Sequence, residues 1–221
     1  MEADGEFIRF YHSHILEQHA DEIAESILMY QKYVDPYGVV VSNRGGWQSR
    51  SASNAVRFNP SATLLPFQTQ WAQHFSEYLD NIKEDYDRWY FSETVPDMPE
   101  SEILESMYND GLIDQYGRVN PNDVSKTAWL NINWQDDFNH THDHILEGDI
   151  DRKHTYIPDV AGVFFVTDSY KEFYYYHDGK KIHPPMKSGD IALFSRYVSH
   201  GVEPHKITKP RISIAIDITY V

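Results

Sequence analysis

The sequence predicts an α+β fold in which helices come first and support a β-rich core. Two observations carry that expectation. Up to roughly residue 110, apolar side chains recur at helical spacing; from Thr127 onward, short runs rich in β-branched and aromatic residues alternate with turn signals. Neither an internal repeat nor a linker interrupts the chain, so 1–221 reads as one domain, with 1–126 a mainly helical support region and 127–221 the β-rich core.

Taken in order, residues 13–33 (SHILEQHADEIAESILMYQKY) carry Ile15, Leu16, Ile23, Ile27, Leu28 and Met29 at helical period, and Pro36-Tyr37-Gly38 ends that helix. The run VVVSNRGGWQSRS reads as a short strand entering a Gly-rich loop, where Trp47 is placed either to cap a cavity or simply to pack. A second long helix is expected over 64–86, burying Leu64, Leu65, Phe67, Trp71, Phe75, Tyr78, Leu79 and Ile82. A weaker one is expected near 100–110, after Pro99 and with Ser101 as its cap, and a loop follows at Gly117 to Asn122. TAWLNINW, GVFFV, EFYYYH, DIALFS and RISIAIDITYV then read as strands. His177-Asp178-Gly179-Lys180 and Lys187-Ser188-Gly189-Asp190 supply turn chemistry between them.

Composition narrows the function classes. Hydrophobic residues make up 41% and aromatics 14%, which is the profile of a folded domain with a sizeable core. There is no cysteine, which excludes disulfides, thiolate metal sites and cysteine nucleophiles and makes a reducing cytoplasm the simplest home. No apolar run approaches the roughly 20 residues that span a bilayer, so no membrane partner is expected. The net charge of −15, without a dense Lys/Arg run, argues against nucleic acid as a substrate, because phosphate contacts demand a basic surface.

The chemistry concentrates in histidines. His140, His142 and His144 alternate in DDFNHTHDHIL; on an extended strand they would share one face, either as a polar, solvent-facing strand or with an adjacent pair gripping a metal ion. His200 follows a hydrophobic strand, and eleven residues later Arg211 heads RISIAID, with Ser213 on the same face. A guanidinium that starts an apolar strand demands an anionic partner if it is buried, or else sits at the strand edge in a local salt bridge. Asn131 and Asn133 alternate with Leu130 and Ile132 on the preceding strand, as sheet-edge asparagines or as polar site residues. Zinc hydrolases also use histidine triads, but no HExxH helix is present. The other histidines have plainer readings: His12, His14 and His19 as solvated residues near a helix start, His74 as structural, His183 and His205 as turn residues.

These pieces together resemble the 2-oxoglutarate/Fe(II)-dependent oxygenase superfamily, and within it a branch found in bacteria and marine phages with an N-x-x-H-x-H … H … R-x-S pattern. Asp137 to His144, AWLNIN, GVFFV, GDIALFSRYVSHGVEP and RISIAID carry the resemblance, together with SNRGGWQS at 42–49. The last 95 or so residues match well and the rest only in patches. The resemblance implies a double-stranded β-helix (jelly-roll, cupin-like) core. It assigns His142, His144 and His200 to the metal, and Arg211 and Ser213 to the far carboxylate of 2-oxoglutarate, with Asn131 and Asn133 also touching that cosubstrate. The implied activity is a dioxygenase that couples decarboxylation of 2-oxoglutarate to hydroxylation of a small molecule or a protein side chain, with ascorbate as a supporting reductant. Two other functions remain open: a metal-binding β-sandwich without catalysis, and a three-His iron dioxygenase that does not use 2-oxoglutarate. Two features depart from the pattern. His144 stands where most of the superfamily has Asp or Glu, which leaves the metal site one positive charge richer. Residues 146–160 lengthen the segment before GVFFV and are expected to form a loop lining the site or mere decoration.

Overall fold

A computed structural model describes residues 7–50, 52–54, 65–66, 69–94, 100–109, 124–145, 159–169 and 171–220. Two antiparallel sheets face each other, and helices cover the outer face of the larger one. The chain opens with strand β1 (Ile8–His12), the short helix α1 (His14–Gln18) and helix α2 (Ala20–Tyr33). Strands β2 (Asn43–Arg44), β3 (Trp47–Gln48) and β4 (Ala52–Asn54) precede helices α3 (Gln70–Thr94) and α4 (Glu100–Asn109). Eight strands complete the fold: β5 (Val124–Asn133), β6 (Phe138–His142), β7 (Val160–Phe165), β8 (Phe173–His177), β9 (Lys180–Ile182), β10 (Asp190–Ser195), β11 (His200–Val202) and β12 (Arg211–Tyr220). The major sheet runs β1-β10-β7-β12-β5-β3, with β4 also paired to β5; the minor sheet runs β2-β6-β11-β8-β9.

The two-residue side-chain period of a strand splits β12 between two environments. Ile212, Ile214, Ile216 and Ile218 face the helices and join Phe75, Leu79 and Ile82 of α3 and Ile23 and Ile27 of α2 in one core. Arg211, Ser213, Ala215 and Asp217 face the minor sheet. Strands β7 and β10 do the same with apolar residues on both sides: Phe164 and Leu193 belong to the helix-side core, Phe165 and Phe194 to a smaller cluster between the sheets. Burial on both faces explains why GVFFV and DIALFS read as unbroken apolar runs.

Two chain segments step from one sheet to the other side by side. Gly45 and Gly46, both at positive φ, carry the chain from β2 to β3, and the turn at Trp134–Asp137 carries it from β5 to β6. A Cβ on Gly45 would lie 1.8 Å from Asp137 Oδ1, so only glycine lets these corners pack together.

Several local expectations are corrected. The 13–33 helix is broken at His19 into α1 and α2, and Ile15 and Met29 are exposed, so the buried stripe is Leu16, Ile23 and Ile27. Helix α3 starts at Gln70, where Thr69 Oγ1 accepts from Ala72 N (3.3 Å), and runs past the expected end at 86 to Thr94. Ser101 lies inside α4, not at its cap. Trp47 caps no cavity: it is buried in the helix-side core beside Tyr30, with Nε1 donating to Asp35 O (2.8 Å). Strand β5 begins at Val124, before Thr127. Leu64, Phe67, Pro99, the 117–122 loop and residues 146–158 of the expected 146–160 loop lie outside the described residues.

Candidate metal centre

The cavity between the sheets is lined by His142, His144, His200, Asn131, Asn139, Arg211 and Ser213, with Trp129 and Phe173 among its walls. The structure places His142 at the end of β6 and His200 at the start of β11, directly paired across the minor sheet. Their ring centroids are 4.5 Å apart, and the His144 ring lies 5.4 Å from His142 and 5.2 Å from His200. One ligand atom from each of the three comes within 4.8 Å of the others.

A bulge sets which histidines meet. Between His200↔His142 and Val202↔Asn139, β6 spends one residue more than β11. The extra residue resets the alternation, so Asn139 and His142 both face the cavity while His140 is exposed. The expectation that His140, His142 and His144 share one strand face is therefore wrong. His144 lies beyond the strand altogether. Arg196 holds it there: its Nε and Nη2 donate to His144 O (3.0 and 2.7 Å), and His144 N donates to Arg196 O (2.9 Å).

The hydrogen bonds fix which nitrogen carries the proton in His142 and His200. Nδ1 of His142 lies 2.8 Å from His140 O, and Nδ1 of His200 lies 3.0 Å from Val198 O. Carbonyl oxygens only accept, so both Nδ1 atoms carry the proton and both Nε2 atoms keep a lone pair. His144 Nδ1 lies 2.5 Å from Asp217 Oδ1, a carboxylate on β12, which leaves His144 Nε2 buried without a partner. Burial, with the neighbouring imidazoles adding to it, pushes the His200 ring well below the ordinary histidine range; burial lowers His142 as well. Both are neutral at pH 7, as metal ligands must be. Backbone carbonyls and a carboxylate behind the rings are the supports that orient ligating histidines.

Arg211 is 2% exposed. Its Nε donates to Ser169 Oγ (3.0 Å) and its Nη1 to Asn133 Oδ1 (3.1 Å) and Ser213 Oγ (3.4 Å), all uncharged partners. Nη2 is buried and unpartnered. Burial lowers its pKa to about 10, still cationic at pH 7, with Glu172 the charge that opposes the shift. A buried cation with a free donor fits an incoming carboxylate. Asn133 thus braces Arg211 in place, passing the chain of bonds to Asn139 (3.2 Å) and on to Ser42 (3.3 Å), while Asn131 lines the cavity.

Sequence reasoning missed Asp217, Ser169 and Asn139 as supports of these groups. Asp217 did carry a signal: an acid in an apolar strand at the same parity as Arg211 and Ser213. Ser169 carried none. Among the remaining histidines, His205 is buried and structural, bonded to Glu172 Oε1 (3.1 Å) and Lys209 O (2.6 Å). His183 Nδ1 bonds Lys171 O (2.7 Å), and His74 stacks on Tyr78.

No family model and no curated protein matches the chain. Solved structures do. A prolyl-4-hydroxylase from Pseudomonas putida superposes with a TM-score of 0.60 at 11% identity, covering 99% of this chain and 94% of that one. A prolyl hydroxylase from Trichoplax adhaerens, in complex with a hypoxia inducible factor oxygen degradation domain peptide fragment, gives 0.53 at 13% identity over 97% and 84%. The viral collagen prolyl hydroxylase of Paramecium Bursaria Chlorella virus-1, in its 2OG complex, gives 0.49 at 12% identity over 98% of both chains. The fold is that of the prolyl hydroxylases. In this double-stranded β-helix the two sheets of the sandwich enclose the histidine cluster, and no helix among the described residues is long and apolar enough to cross a membrane.

Proposed function

We propose that the chain is an Fe(II)- and 2-oxoglutarate-dependent oxygenase that hydroxylates a small molecule or a protein side chain. One observation carries the reading: three histidine rings and the unpartnered Nη2 of a buried arginine converge in a single cavity. A metal site alone needs no buried guanidinium, and an anion site alone needs no histidine triad.

In this reading His142, His144 and His200 hold the metal through Nε2, and Arg211 with Ser213 receives the far carboxylate of 2-oxoglutarate. Ser169 and Asn133 hold the guanidinium plane so that Nη2 remains directed at the ligand. Iron and the keto-acid, when bound, would let dioxygen act as the oxidant, with one oxygen atom passing to 2-oxoglutarate as it becomes succinate and CO2 and the other to a substrate C–H bond. The protein contributes fixed ligands and walls such as Trp129 and Phe173 that exclude water. Asp217 answers the charge question raised by His144. Bonded to the far nitrogen of that ring, it brings a negative charge to the site one residue removed from the metal. A three-His dioxygenase without 2-oxoglutarate fits less well, since it leaves Nη2 of Arg211 without a purpose. The likeness in fold to prolyl hydroxylases puts peptides first among substrates to screen, and ferrous chemistry suits a reducing, cytoplasmic setting.

The test is succinate release from 2-oxoglutarate with Fe(II), ascorbate and air, across a peptide and metabolite library. Release should stop in excess chelator and in His142→Ala and His200→Ala, which lose the metal. Succinate formation that survives chelation would overturn the reading.

A further inference from the structure

Outside the cavity, a second group of metal-ligating side chains meets where β1 turns into α1. His12 Nε2 lies 3.2 Å from His14 Nδ1 and 3.2 Å from Glu17 Oε2, and His14 Nδ1 lies 3.4 Å from Glu17 Oε2. The three atoms form a nearly equilateral triangle. With metal–ligand bonds of about 2.0–2.1 Å, the edge of a tetrahedron of ligands is about 3.3–3.4 Å, so the triangle matches one face of such a tetrahedron.

The triangle is held from behind. His12 Nδ1 lies 2.7 Å from Asp190 Oδ1, and Asp190 is itself fixed by Lys187 N donating to its Oδ2 (2.7 Å). If His12 is neutral with its proton on Nδ1, its Nε2 lone pair points at a carboxylate. A divalent cation would satisfy that lone pair, since all three atoms then act as electron-pair donors and the Asp190 bond becomes the carboxylate–histidine support typical of zinc ligands. Packing enforces the approach: a Cβ on Gly189 would meet Glu17 Cβ at 2.8 Å and His12 Cε1 at 3.1 Å.

We propose that His12, His14 and Glu17 form a second divalent-cation site, of zinc type, that ties the end of edge strand β1 to α1. Asp190 on β10 holds the His12 ring in place. All three ligands are solvent-accessible, which leaves a fourth position open to water. The site is independent of the oxygenase reading, because none of its residues lines the cavity.

The probe is Zn(II) alone, counted per chain by equilibrium dialysis and elemental analysis at stoichiometric concentrations. The full-length protein should take up two equivalents. His12→Gln/His14→Gln, at two accessible positions, should lose one of them and keep its 2-oxoglutarate affinity. His142→Ala/His200→Ala should keep one, and Zn(II) should still raise its melting temperature. Adding His12→Gln and His14→Gln to that variant should abolish both the uptake and the thermal shift. Wild-type uptake in His12→Gln/His14→Gln overturns the proposal. Wild-type uptake in His142→Ala/His200→Ala instead counts against the cavity triad, so the two failures are separable.

Discussion

The two faces of β12 are built from the same ten residues and do opposite work. On the helix side four isoleucines pack against α2 and α3; on the other, an arginine, a serine and an aspartate line or support the cavity. The apolar face gains its free energy from area removed from water, which no single partner dictates. The polar face is expensive to bury and is worthwhile only if each group meets one particular partner. Stability and chemistry are therefore separable by residue parity along a single strand, and substitutions can be chosen to strike one without the other.

The largest effects should come from one residue on each face. Ile216→Ala should cost about 2–5 kcal/mol of stability, as for other large-to-small core changes, read from urea midpoints, while the folded variant binds metal and 2-oxoglutarate as before. Arg211→Ala should do the reverse. Losing a charge-assisted contact in a buried site costs about 2–5 kcal/mol, which at about 1.4 kcal/mol per decade is roughly a thirtyfold to several-thousandfold loss of 2-oxoglutarate affinity by calorimetry. Its melting temperature should hold or rise, because a buried cation without an anionic partner is removed. An unchanged 2-oxoglutarate affinity would take Arg211 out of the site.

Asp217→Asn sharpens the comparison at smaller scale. Removing a carboxylate behind a ligating histidine should weaken metal binding by about tenfold to a hundredfold, measured by competition with a chelator. In a His144→Asp background, where the ligand itself is an acid, the same change should matter much less. Equal effects in both backgrounds would show that the Asp217 charge does not stand in for the missing carboxylate.

The smallest effect is a pH slope in the metal-free protein. The folded-state pKa values of His200 and His142 lie below the ordinary 6.5. As pH falls below that value the unfolded chain gains protons that the folded chain refuses, so stability falls toward acid and is steady above it. Urea midpoints between about pH 7 and 5 should show the decline, and His200→Gln should flatten it. A midpoint equally flat in both proteins would mean that these rings protonate freely in place.

Much of the architecture was legible. DIALFS and RISIAID announce strands because β-branched and aromatic residues repeat at period two or run unbroken, and the turns at Asp178-Gly179 and Gly189 announce themselves by residues that tolerate positive φ. What stayed hidden is short or contextual. β1, β2 and β3 are edge strands of two to five residues, too brief for a period to emerge. The break at His19 leaves no mark in a helix-compatible run. Arg211 was readable as a buried cation from its place at the head of an apolar strand, but its brace Ser169 comes from a loop distant in sequence. The triangle of His12, His14 and Glu17 needed the β1–α1 corner before it meant anything.

The bulge in β6 has a consequence for how this chain tolerates insertions and deletions. Which histidine faces inward depends on counting residues, and β6 counts one more than its partner. Deleting a single residue between Asn139 and His142 would put the two side chains two positions apart, the same spacing as His200 and Val202 opposite, so simple alternation would keep both of them facing the cavity. Lengthening an exposed turn such as Asp178-Gly179 is harmless for a different reason, since the strands on either side keep their own frames. A one-codon deletion at this point would thus remove the bulge and still present both side chains to the cavity, whereas the same deletion within a regular strand such as β12 would turn every residue on one side of it to the other face.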